Sequence, residues 1–145
     1  MYKNILVTTD GSEFSEKAFG HAIELAKLVG ARLTAVTVTP PLQFLTVEGV
    51  VYPEDPEKYQ QSIDAQAKAA LDVVAKAAEA RGVPCELVQL ESPQPYEGII
   101  KTANDKGCDL IVMASHGRRG LSAFLLGSET QKVLTHSNIP VLVCR

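Results

Sequence analysis

The 145-residue chain contains no tryptophan, and its four tyrosines and four phenylalanines are scattered. Nor is there an excess of base: 14 Lys and Arg stand against 17 Asp and Glu, for a net charge of −3. A basic surface studded with aromatic platforms is therefore missing, which argues against a nucleic-acid role. No pair among Cys85, Cys108 and Cys144 has metal-ligand or redox spacing. Each lies in or beside an apolar stretch, where a free thiol acts as a small hydrophobe, and an odd trio suits no disulfide framework. The apolar runs Ile5 to Val7 and Leu121 to Leu126 are far too short to span a bilayer. The N-terminus lacks the apolar core of a signal peptide, so a cytoplasmic protein with no membrane partner is expected. Two nucleotide signatures are also missing. There is no GxxxxGK[ST] loop, and no GxGxxG turn follows the first apolar run, which removes the usual flavin or NAD site.

What is present is a regular alternation. Tyr2 to Thr9 reads as a buried strand and ends in the turn Asp10-Gly11-Ser12. A helix from about Glu13 to Leu28 follows, with Ala18, Ala22, Leu25 and Val29 as its apolar stripe and Gly30 as its stop. Arg32 to Thr39 is a second strand, ended by Pro40-Pro41. The segment from Pro40 to Asp55 has no clear period. A connection of this length is either a flap near a site, a subunit contact or a variable surface excursion. Asp55-Pro56 is an N-cap with proline at the first helical position, and the helix runs to about Arg81 with Ile63, Ala67, Leu71, Val74 and Ala78 apolar. Val83 to Leu90 is the third strand. A helix from about Gln94 to Lys106 buries Ile99, Ile100 and Ala103, and Cys108 to Ala114 is the fourth strand. A short helix from Ser128 to about Thr135 and a last strand, Ile139 to Cys144, complete a single domain over 1–145. Such alternation of strand and helix means a parallel sheet with helices on both faces and right-handed crossovers.

The chemistry is expected in the stretch from Val112 to Thr130, where an apolar strand breaks into a Gly/Arg-rich loop and ends at a helix start. Ser128 with Gln131 three residues on has the pattern of a capping box. A helix N-terminus behind a glycine-rich loop favours anions through its free N–H groups and its dipole. Gly117, Gly120 and Gly127 would let the backbone come close to a ligand, and Arg118 and Arg119 add positive charge. Read locally, this is a phosphate cradle or an ordinary strand–helix loop. Ligands of open parallel sheets bind beyond the carboxyl ends of the strands, where strand order reverses. If the first and fourth strands flank that point, Asp10 faces the glycine loop. A carboxylate opposite a phosphate cradle suits a sugar hydroxyl or a divalent metal on the phosphates. Asp10 could otherwise be a helix cap.

These residues carry a resemblance. The chain is similar to the universal stress protein family, in its ATP-binding branch, over essentially all 145 residues. The opening Ile5 to Ser12 resembles that family's first strand and acidic turn, Met113 to Ser128 its nucleotide loop, and Ile139 to Val143 its closing strand. The family loop has Gly, two residues, Gly, nine residues, then Gly-Ser or Gly-Thr. Gly117 and Gly127-Ser128 fit with nine residues between them, while the first glycine is Ala114 here. The resemblance implies an open five-stranded parallel sheet, Rossmann-like and of the adenine nucleotide alpha hydrolase kind, with strand order 3-2-1-4-5. It implies ATP, with Mg²⁺ or Mn²⁺. Asp10 would hold the ribose, Thr8 would line the adenine side, Val38 would offer its backbone to the adenine edge, and Met113 and Ala114 would lie against the nucleoside. Gly117, Gly127, Ser128, Glu129 and Thr130 would wrap the triphosphate, with the Glu129 side chain turned away, and Arg118 would lie nearby. It also implies a homodimer through the final strand, Val141 to Cys144, whose open edge would invite pairing with its symmetry mate.

Three functions compete on this reading. The first is an ATP-dependent stress-response switch or regulator. The second is a protein-interaction module without nucleotide, for which Ala114 is the supporting feature. The third is an ATP hydrolase. Hydrolysis needs a positioned base or water-orienting group and usually a metal. His116 is the one candidate near the cradle, so at most slow hydrolysis is expected and no catalytic residue is assigned.

Overall fold

The computed structural model describes residues 1–42, 44–46, 48–117 and 125–145. Five strands form one parallel sheet: β1 (Asn4–Thr8), β2 (Arg32–Thr39), β5 (Cys85–Glu91), β6 (Leu110–Ala114) and β7 (Val141–Cys144). Their order across the sheet is β5-β2-β1-β6-β7. This numbering departs from 3-2-1-4-5 because two short strands, β3 (Phe44–Thr46) and β4 (Gly49–Val51), intervene in the chain. Counted among the five strands of this sheet alone, the succession is the same. The reversal of direction in strand order falls between β1 and β6, which pair in register from Ile5↔Leu110 to Val7↔Val112.

Four helices cover the sheet: α1 (Glu13–Val29), α2 (Pro56–Ala80), α3 (Pro95–Asp105) and α4 (Ser128–His136). Side chains alternate along the central strands, so each strand feeds two cores. Ile5 and Val7 of β1 pack with α1 and α2 through Ala18, Phe19, Ala22, Ile23, Leu71 and Val74. Leu6 of the same strand packs with α3 and α4 through Ile99, Ala103 and Val133. On β6, Leu110 and Val112 join the first cluster, and Ile111 and Met113 join the second. Burial on both faces explains why these strands read as unbroken apolar runs.

Three local expectations are corrected. The buried stripe of α1 runs through Ala18, Phe19, Ala22, Ile23 and Ala26, and leaves Val29 37% exposed. The helix turns Phe19 and Ile23 to the sheet, and Leu25 packs only partly buried against the same cluster. Ser128 does not cap α4: Gly127 is the N-cap, its carbonyl accepts the Gln131 N–H at 3.0 Å, and Ser128 is the first helical residue. The Gln131 side chain instead donates to the Leu126 carbonyl at 3.0 Å. The segment 40–55 is not irregular throughout. It holds the antiparallel hairpin β3–β4, paired from Phe44↔Val51 to Thr46↔Gly49 and separate from the main sheet. Asp55 does cap α2, accepting the Lys58 N–H at 3.0 Å. Among the described residues no helix is long and apolar enough to cross a membrane.

Candidate functional site

Parallel strands all end on the same side, so the β1 and β6 loops open together there. Beyond Thr8 the chain is still tied to β2 by the Thr9 N–H, which donates to the Val36 carbonyl at 3.0 Å. The turn that follows is braced by its own side chains. The Asp10 Oδ1 accepts the Ser12 N–H at 2.9 Å, and the Thr9 hydroxyl accepts the Gly11 N–H at 3.2 Å. Ser12, not Asp10, caps α1, accepting the Ser15 N–H at 3.3 Å. The helix-cap explanation of Asp10 is thereby removed, and its carboxylate lies at the β1–β6 crevice. A Cβ built on Gly117 would come within 3.2 Å of the Asp10 Oδ2. The two strand ends therefore lie close together, and a side chain at 117 would press on the Asp10 carboxylate.

The β6 side is pinned by backbone bonds. The Ser115 N–H donates to the Cys144 carbonyl at 2.7 Å, and the Gly127 N–H returns to the Ser115 carbonyl at 2.6 Å. The buried Thr130 hydroxyl donates to the Ala114 carbonyl at 2.9 Å. These bonds seat the first turn of α4 on the end of β6. A Cβ on Gly127 would meet the Ser115 carbonyl oxygen at 3.1 Å and the His116 Cα at 3.4 Å, so this contact requires glycine. His116 is buried, with its Nδ1 2.9 Å from the Ser115 hydroxyl and its ring 6.0 Å from that of Phe14.

Between these ends lies a cavity of about 780 Å³. Thr8, Asp10, Val38, Met113, Ala114, Gly117, Gly127, Ser128, Glu129 and Thr130 all line it. Every site residue named from the sequence is thus brought together except Arg118, which lies outside the described residues. None of the described residues of 40–55 lines the cavity. Val36, Val38, Ile99 and Met113 give it an apolar wall. Ala114 packs against the cluster on the α1 side of the sheet, so the methyl that replaces the family's glycine has a seat in the core.

The sequence reading missed one wall. Pro93, Gln94 and Pro95, at the start of α3, line the cavity with Ser15 and His116. The signal was available: two prolines after the third strand mark a helix start, and every strand-to-helix loop of a parallel sheet opens on this side.

Besides α1, whose start contributes Ser15, the helices α3 and α4 begin at the cavity, and the donors of these two differ. In α4 the backbone N–H groups of Ser128, Glu129 and Thr130 have no acceptor among the described residues, as geometry dictates for a first turn without a side-chain cap. In α3 the same groups are all accounted for. Pro95 has no N–H, the Tyr96 N–H donates to the Glu129 Oε2 at 2.9 Å, and the N–H groups of Glu97 and Gly98 reach the Gln94 carbonyl at 3.1 and 3.3 Å. The Glu129 carboxylate is thus engaged at the start of α3. It also meets the Lys132 Nζ at 3.3 Å. A hydrogen bond to a charged acceptor contributes about 1.5–3 kcal/mol, against about 0–1 kcal/mol for a half-exposed ion pair, so the Tyr96 bond governs where this side chain lies.

Burial pushes the thiols of Cys85, Cys108 and Cys144 above their ordinary value, keeping them protonated near neutrality. Among the described residues no group of three His, Cys, Asp or Glu could hold a metal ion.

This geometry can be set beside known proteins. The profile described as the Universal stress protein family matches residues 1–145. Universal stress protein MJ0531 of Methanocaldococcus jannaschii is 36% identical over 147 residues, spanning 100% of this chain and 83% of that protein. Among solved structures, one described as the structure-based assignment of the biochemical function of hypothetical protein MJ0577 is 34% identical, with a TM-score of 0.83, covering 99% of this chain and 95% of that one. A universal stress protein from Archaeoglobus fulgidus in complex with dAMP aligns with a TM-score of 0.71 over 99% of this chain and 98% of its own; at 22% identity it shares the fold. With the profile spanning the whole chain and a relative 36% identical over all of it, the protein belongs to the universal stress protein family.

Proposed function

We propose that the cavity binds ATP and that the protein is a homodimeric, nucleotide-dependent stress-response regulator with at most slow hydrolysis. One observation carries this reading: the open donors of α4 and the Asp10 carboxylate share a single cavity with an apolar wall. The volume lies within the roughly 300–1,000 Å³ usual for small-molecule sites. An adenine would lie by Val36, Val38 and Met113, with Thr8 at its side. The ribose hydroxyls would reach Asp10. The phosphates would take the N–H groups of Ser128, Glu129 and Thr130 behind Gly117 and Gly127, where the helix dipole favours negative charge. A divalent ion, Mg²⁺ or Mn²⁺, would arrive on the phosphate oxygens and supply charge neutralisation.

Dimerisation is supported by the edge position of β7. Among the described residues β7 pairs with β6 alone, and Leu142 is 42% exposed. An apolar edge of this kind favours pairing with a second copy about a two-fold axis. Sedimentation of the protein and of a Leu142→Pro variant tests it, with loss of the dimer expected in the variant.

The nucleotide reading is tested by the nucleotide content of freshly purified protein and by calorimetric titration of the stripped protein with ATP and Mg²⁺. Asp10→Ala and Gly127→Val are run beside it. Bound ATP that both variants lose supports the reading. The absence of nucleotide and of binding heat overturns it, and leaves a dimeric protein-interaction module. Accumulation of ADP with time would make the protein an ATP hydrolase.

A further inference from the structure

The first turn of α4 is held to two elements. The Thr130 hydroxyl and the Gly127 N–H fix it to the end of β6. The Glu129 carboxylate fixes it to the start of α3, since it accepts the Tyr96 N–H at 2.9 Å from a position 33 residues away in the chain. Around that bond the two helices make a compact contact. The Tyr96 ring stacks on the His136 ring at 5.1 Å with an angle of 28°, and the Lys132 Nζ lies 5.6 Å above the Tyr96 ring while meeting Glu129 on its other oxygen. Both helix starts line the cavity, so this bond spans its wall.

We infer that Glu129 is a positioning residue for the cradle: by capping α3 with its carboxylate it fixes the first turn of α4 against α3. The inference rests on the ATP reading of the site and adds how the phosphate end is held in place. A carboxylate in the first turn of a phosphate-binding helix would otherwise oppose its ligand through like charge. Here it is drawn out of the way by a backbone donor and matched by Lys132. Without the Glu129 carboxylate, the Tyr96 N–H would lose its acceptor and the first turn of α4 its hydrogen bond to α3.

The test compares wild-type protein with Glu129→Gln and Glu129→Ala. The amide oxygen of Gln can still accept from Tyr96, whereas Ala cannot. Binding of ATP and of adenosine is measured by calorimetry, and amide hydrogen exchange at Tyr96 is followed in the ligand-free proteins. Glu129→Ala is expected to bind ATP about tenfold more weakly, while its affinity for adenosine stays within about twofold. Tyr96 exchange should quicken at least about tenfold in Ala and little in Gln, with core amides of β1 unchanged in both. Rescue by Gln separates positioning from a general loss of structure, which would lower both affinities together. Equal ATP binding in all three proteins overturns the inference, as does an equal loss in Gln and Ala. Wild-type protein that binds neither ligand overturns the ATP reading itself and this inference with it.

Discussion

Of the helices that start at the cavity, α3 and α4 form a contrast: one is open where the other is shut. α4 begins at Gly127 with no side-chain cap and three backbone donors without acceptors among the described residues. α3 begins at Gln94, also without a side-chain cap of its own, yet proline and Glu129 leave it nothing to offer. The same element of secondary structure thus does opposite things according to the two or three residues around its first turn. A helix dipole does not by itself make an anion site; the donors must also be unclaimed.

The comparison can be broken most severely at the open end. Gly127→Val places a branched side chain where even a Cβ would stand 3.1 Å from the Ser115 carbonyl. Overpacking of this kind costs about 1–3 kcal/mol of stability. Calorimetry should show ATP affinity down by about 100-fold or more, roughly 2.8 kcal/mol, with thermal unfolding moved only a few degrees. Next comes Asp10→Ala, which removes the proposed ribose contact and the bond to the Ser12 N–H. Here ATP and adenosine should weaken alike, by about 10-fold, because both carry the ribose. A variant that weakens ATP alone would put Asp10 at the phosphates instead.

Smaller changes sharpen the contrast. Pro95→Ala gives α3 an extra N–H but leaves the Tyr96 N–H bound to Glu129. ATP affinity is expected to stay within about twofold, and stability to fall by about 0.4–1 kcal/mol through a freer unfolded chain. A gain in ATP affinity would show that α3 can be opened by one donor. Ala114→Gly restores the family's glycine. Since the Ala114 methyl packs on the core, the expected result is a stability loss of about 0.5–1 kcal/mol and little change in binding. Chemical denaturation checks the first quantity and titration the second.

The order of elements was legible because the central strands are buried on both faces and therefore carry unbroken apolar runs between proline and glycine stops. Ten of the eleven proposed site residues line one cavity because loops after parallel strands must gather on one side. What was not legible depended on contacts distant in sequence. The hairpin β3–β4 has strands of three residues each, too short for alternation to register. Ser128 and Gln131 had the spacing of a capping box, yet helix α4 starts one position earlier because the Gly127 N–H is drawn to Ser115. The α3 wall was invisible for a similar reason: nothing near Tyr96 in the chain announces that its N–H is claimed by a carboxylate 33 positions on.

The bond between Gly127 and Ser115 has one more consequence. It ties together the two ends of the segment that connects β6 to α4, at 2.6 Å. Once the ends of a segment are joined, lengthening it changes only its closure entropy, and doubling its length costs only about 0.6 kcal/mol. The bond thus works as a clasp: it keeps the end of β6 and the first turn of α4 together by a contact of their own, whatever length of chain runs between them.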